Sequence, residues 1–167
     1  MKWKIRGERA SRRVWVKDNE IFPGMSQKVF NHSPDGFNWG YGGSGPAQLA
    51  LALLMLVVDG KTALEYYQDF KWEFVSKWQG DFEDEIDIEK WLRDKGALER
   101  TFYVTFGQVH VHSVNGKTFD KNCVAGIRAR TRAEAHEKAM KIFNGVFHSV
   151  QDEPHLEYYP RGIIDVD

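Results

Sequence analysis

With 167 residues, 42% hydrophobic and 14% aromatic, the chain has ample material for a packed core, in one domain or two small ones. A formal net charge of −1 excludes both the large positive excess of a strongly basic nucleic-acid binder and the large negative excess of a DNA mimic. The single Cys123 excludes an internal disulfide framework and fits a reducing cytosol.

Residues 1–6 are charged and not followed by an apolar core, so no signal peptide is expected. Short strand signals open the chain at residues 3–6 and 12–16. Asp18-Asn19 reads as a turn before Ile21-Phe22, and Pro23-Gly24 punctuates again. Val29-Phe30 and residues 37–39 flank Ser33-Pro34-Asp35-Gly36, a loop with good turn chemistry. Together these segments predict a small antiparallel sheet. Lys2, Lys4, Arg6, Arg9, Arg12, Arg13 and Lys17 make this part basic.

Three helices are expected next. The first runs from Pro46 to about Val58, apolar on every side, so neighbours must cover it. Its apolar stretch from Ala47 to Val58 is too short for a bilayer, which needs about 20 residues. Asp59-Gly60 stops this helix, and Asp59 is placed to cap the second, with Thr62 in its first turn. In that second helix Ala63, Leu64, Tyr67, Phe70, Phe74, Val75 and Trp78 recur at helical spacing as far as Gly80. Residues 81–89 are acidic and read as solvated surface. A short third helix carries Ile88, Trp91 and Leu92 to a Gly96 cap.

The pattern then restarts, predicting a division into residues 1–96 and 97–167. An alternating strand is expected over residues 101–114, and Asn115-Gly116 is the strongest hairpin signal in the chain. A second strand falls near residues 124–130. Thr131 and Glu134 have capping-box spacing before a helix that turns Ala135, Ala139, Met140, Ile142 and Phe143 inward; Asn144-Gly145 closes it. Residues 146–150 read as a strand, and a turn at Pro160-Arg161-Gly162 leads to a final one. The fold class is therefore α+β: a small antiparallel sheet plus helices, followed by a ββαβ(β) unit.

The run from Trp39 through Tyr41, Gly42, Gly43, Ser44 and Gly45 to Gln48 is the leading candidate site. A glycine-dense loop opening a helix can expose backbone N–H groups to an anion at the positive end of the helix dipole. There a phosphate or carboxylate would meet the amides while Trp39 and Tyr41 stack on a ring. The competing reading is that the glycines let the aromatic residues pack. The loop lacks the Lys-Ser/Thr ending of a nucleotide-binding P-loop. Ser44 departs from the Gly-x-Ser-x-Gly nucleophile elbow because Pro46 replaces the last glycine; His32 and Asp35 are the only nearby bases to serve it.

On the second sheet, Phe102, Val104 and Phe106 should face inward. A bulge at Gly107-Gln108 would let Val109 and Val111 continue that face. The outer face would then carry Tyr103, His110, His112, Arg128 and Arg130, a set suited to stacking bases and holding phosphates. The histidines, with Asp120, Cys123 or His148, have no recognised metal-ligand spacing. No catalytic constellation, metal site or cofactor is expected.

The stretch Phe37-Asn38-Trp39-Gly-Tyr-Gly-Gly-Ser-Gly-Pro-Ala-Gln-Leu-Ala-Leu, with Tyr67-Gln68-Asp69-Phe70-Lys71, resembles a family of uncharacterised bacterial and phage proteins known as a domain of unknown function, over roughly residues 3–95. Phe102-Tyr-Val-Thr-Phe-Gly and Tyr159-Pro-Arg-Gly resemble a second group of small phage proteins. These resemblances imply a phage or mobile-element accessory protein in the bacterial cytoplasm. The expectation is non-enzymatic binding of a host or phage protein, for example a component of antiviral defence, by a monomer or small homo-oligomer away from membranes. The alternatives are an enzyme or sensor binding a phosphorylated small molecule (a nucleotide) at the glycine loop, and an RNA- or DNA-binding module.

Overall fold

The computed structural model describes residues 1–167 and has an α+β fold. Two compact units divide it, Met1–Leu92 and Arg93–Asp167. No helix is long and apolar enough to cross a membrane.

The first unit contains strands β1 (Trp3–Glu8), β2 (Arg13–Val16), β3 (Asn19–Ile21) and β4 (Phe82–Ile86) in one antiparallel sheet, ordered β3-β2-β1-β4. Alternation sets the two faces: Trp3, Ile5, Val14 and Val16 are buried, while Lys4, Arg6 and Glu8 face out. The β2–β3 turn is Lys17-Asp18, both at positive φ, one residue earlier than the Asp18-Asn19 signal suggests.

Strand β4 corrects the reading of residues 81–89 as solvated acidic surface. Phe82 and Ile86 point inward with Asp84, and Asp84 accepts a hydrogen bond from Trp78 Nε1 at 2.9 Å. Glu83 and Glu85 lie opposite Arg6 and Lys4. The basic and acidic runs thus meet in one sheet, where Lys4 pairs with Glu83 at 3.1 Å.

Helices α1 (Gly24–Val29), α2 (Ser44–Leu54) and α3 (Gly60–Glu73) follow β3, and α4 (Ile88–Asp94) follows β4. Val29 ends a helix and residues 37–39 form no strand, against the expectation for both. Side chains hold these segments instead of a ladder: Gln48 grips the backbone of residues 30–33, and Arg9 donates to Asn38 Oδ1 and the Trp39 carbonyl at 2.7 and 3.0 Å. Helix α2 is buried from Gly45 to Leu54, as its all-round apolarity requires. Asp59 caps α3 by accepting from the Thr62 N–H at 2.8 Å. α3 stops at Glu73, and a 3₁₀ turn over Val75–Lys77 carries the chain on toward Gly80.

The second unit contains β5 (Arg100–Thr105), the hairpin β6 (His112–Val114) and β7 (Lys117–Phe119), β8 (Val124–Ala129), α5 (Arg132–Ile142), β9 (Ser149–Gln151) and β10 (Ile163–Asp165). Its main sheet has the order β10-β8-β5-β9, with β10 parallel to β8. Phe102, Val104, Ala125, Ile127 and Ala129 pack with Ala135, Ala139 and Phe143 of the helix side. Asn115 and Gly116 both take positive φ in the β6–β7 turn, which is why Asn-Gly suits it. Thr131 Oγ1 accepts from the Glu134 N–H, while the Glu134 carboxylate accepts from the Arg130 N–H, one residue before the position a capping box uses. The expected 101–114 strand breaks after Thr105. A turn closed by His110 N–H to the Gly107 carbonyl replaces the bulge, leaving Val109 and Val111 82% and 67% exposed rather than buried. β9 starts at Ser149, three residues after the expected start of that strand.

Candidate functional site

The glycine loop is anchored from below. Trp39 is fully buried; its indole N–H donates to the Gly80 carbonyl at 2.8 Å, and its ring meets Phe82 edge-on. It is therefore a core residue and offers no ring to a ligand. Gly40 has φ +85°, donates its N–H to the Val75 carbonyl, and leaves no room for a Cβ, which would sit 2.6 Å from the Trp78 carbonyl oxygen. Gly42 lies beneath the Trp72 ring, Gly43 beneath the Tyr41 ring and Gly45 against Asn38.

The two rings over the loop remain open on their other side. Tyr41 is 45% exposed and Trp72 58%. Lys71 is buried between them and the core; its ammonium donates to the Gly42 carbonyl at 3.1 Å and lies 4.4 Å from the centre of the Trp72 ring. Burial pushes the Lys71 pKa down from its ordinary value. The His32 ring lies 4.3 Å from that of Phe30 and 4.9 Å from that of Tyr67. Its Nε2 is buried and has no hydrogen-bond partner. Burial, and then the Lys71 charge, hold the His32 pKa low.

Gln48 is committed inside the protein. Its Oε1 accepts from the His32 and Ser33 N–H groups, and its Nε2 donates to Ser26 Oγ and the Phe30 carbonyl. All the bonding capacity that could have served a ligand is used in holding residues 26–33 on α2. Ser44 opens α2 as an exposed residue and forms no hydrogen bond with His32 or Asp35, so no nucleophile elbow is assembled there. Of the residues read from the loop, the structure brings Tyr41, Gly42, Gly43, Ser44 and Gly45 to the surface or its immediate support, and sends Trp39 and Gln48 inward.

The five residues expected on one face of the second sheet do not share it. Tyr103 and Arg128 lie on the side away from α5, with Arg128 3.6 Å from Glu99. His112 turns the other way: its ring packs against Phe106 and Phe143, and its Nε2 lies 2.6 Å from the Val146 carbonyl. His110 belongs to the turn after Gly107, and Arg130 follows the end of β8. Alternation does not carry through to His110 and His112 because β5 ends at Thr105, five residues before His110. No three His, Cys, Asp or Glu side chains converge in a way that could hold a metal ion.

Neither Lys71 nor Trp72 stands out in the sequence as a site residue, although Lys71 closes the Tyr67–Lys71 stretch that carries the family resemblance. Lys71 had a visible signal, since Ala63, Tyr67 and Lys71 are four apart and a charged residue on an apolar helix stripe is unusual. Trp72 had none, because only the fold shows that it covers Gly42.

A family model described as a family of unknown function, DUF6166, matches residues 5–94, more than half of the chain. The chain belongs to this family. No curated protein and no solved structure matches. The region shared with the DUF6166 family holds the whole glycine loop, Lys71 and Trp72, and stops close to the end of the first unit.

Proposed function

We propose that the chain is a non-catalytic binding protein that occupies another protein through the aromatic platform of Tyr41 and Trp72. The observation that carries this reading is that two large exposed rings are braced against the bare backbone of Gly43 and Gly42. Rings fixed in this way lose little freedom on binding, and Trp and Tyr supply much of the energy at protein interfaces. The resemblance to phage proteins supplies a target class, a component of host antiviral defence, and a bacterial or phage origin is part of the proposal.

A photoreactive amino acid placed at Tyr41 should crosslink a discrete partner in the source host, whereas the same group at Lys138, on α5, should not. Trp72→Ala should weaken that complex by about 2 kcal/mol or more. Equal crosslinking from both positions, or none from Tyr41, overturns the proposal.

A second reading has its own support. The buried Lys71 ammonium beside the loop favours a phosphorylated small molecule held near Gly42. It predicts a rise in melting temperature with nucleotides that Lys71→Met removes. An unchanged melting temperature across a nucleotide panel rejects it.

A further inference from the structure

A different surface of the first unit carries the most exposed apolar side chains there after the terminal Met1. Phe22 and Met25 are 67% and 68% exposed, and Leu56 is 45% exposed. With Ile21, Ala52 and Met55 they line a cleft of about 280 Å³. A second cleft of about 310 Å³ shares Ile21 and Phe22, and charged side chains join Pro23 and Phe37 in the rest of its lining. In it Arg13 and Glu20 pair through two hydrogen bonds of 2.7 and 2.6 Å. Arg12 and Asp35 line the same cleft and have no ion-pair partner within the chain.

We propose that this face pairs with a second copy of the chain about a two-fold axis, setting Arg12 of one subunit opposite Asp35 of the partner subunit. A two-fold interface uses one patch against itself, so the patch must be self-complementary. This one is. An axis running along the strip from Leu56 past Phe22, and between Arg12 and Asp35, sets apolar side chains on apolar side chains and gives each unmatched charge one opposite partner, two such pairs per dimer. A partner carrying one sign of charge would leave either Arg12 or Asp35 unmatched. Met25 and Met55 add adaptable side chains that fit a surface meeting its own image. None of these residues belongs to the Tyr41–Trp72 platform, so the pairing leaves that platform's residues uncommitted.

Sedimentation velocity of the full chain, from micromolar to submillimolar concentration, tests this. A reversible dimer of the 19.3 kDa chain is expected. Met25→Glu should leave a monomer whose circular dichroism matches that of the parent. Arg12→Asp and Asp35→Arg, made singly, each place like charges together twice per dimer and should weaken it about tenfold. The double variant should restore association. A monomer throughout the range overturns the proposal; so does a dimer indifferent to Met25→Glu, or single charge reversals that the double variant fails to rescue.

Discussion

His32 connects residue chemistry with a measurable property. Its neutral form is favoured in the folded protein by burial and by the nearby Lys71 charge. The unfolded chain takes up the proton near the ordinary value of 6.5, and the folded protein only at lower pH. Between those points the unfolded state holds more protons, so stability rises with pH across that window. Below the folded value both states are protonated and the loss is complete. His32→Phe keeps a ring between Phe30 and Tyr67 and removes the titration and the orphaned Nε2. Its urea midpoint should vary less with pH below 6.5 than that of the parent. Lys71→Met should raise the His32 pKa, read from its ring proton by NMR titration, since one cause of the depression is gone. An unchanged titration would show that the Lys71 charge does not act on this imidazole. At this scale the sequence was partly legible. Asp59, Thr131 and Asn115-Gly116 announce their roles through local rules, and the structure places them accordingly. Gln48 and Trp39 misled because residue type does not reveal depth; only the packing of α2 and the Gly80 carbonyl assigned them to the interior.

Among the elements, the pairing of β1 with β4 matters most. Read as text, Lys4 and Arg6 belong to a basic run and Glu83 and Glu85 to an acidic one, about eighty residues apart. Folded, they face each other, with Lys4 Nζ 3.1 Å from Glu83 Oε1. The Trp15 ring lies beside them, with the Arg6 and Arg13 guanidinium carbons 4.1 and 5.0 Å from its centre. Both charges of the Lys4–Glu83 pair are exposed, so its strength is modest and salt weakens it. Lys4→Glu replaces attraction with repulsion and should cost about 1 kcal/mol in dilute buffer, shrinking as salt is added. Denaturant titrations at two ionic strengths check both parts. Thr131→Ala should cost about 1 kcal/mol through loss of the α5 cap. The helices were legible from spacing and caps, whereas β4 was hidden by its carboxylates. Phe82, Asp84 and Ile86 do alternate with Glu83 and Glu85, but an inward-facing, half-buried Asp84 is intelligible only once Trp78 is known to donate to it.

For the whole molecule, the two units have different sources of order. The second has a core packed between one face of its sheet and α5, in a ββαβ pattern that the sequence displays openly. The first depends on a buried helix entered through a glycine loop, and on residues 30–40 that hold position without regular structure. Expressed alone, Met1–Leu92 should unfold in one cooperative transition, because its sheet, its buried helix and the loop are internal to it. A broad, non-cooperative melt by circular dichroism would show that this stretch depends on the remainder of the chain.

The central place of β1 in its sheet also has a temporal consequence. During translation β2 and β3 emerge soon after it and can zip onto one side at once. The other side stays bare until Phe82–Ile86 have left the ribosome. For most of the synthesis of the first unit, a row of amides and carbonyls waits for its late partner, a liability that growing chains share with exposed sheet edges. The charged Lys4 and Arg6, which later settle against β4, would meanwhile discourage another nascent chain from docking there.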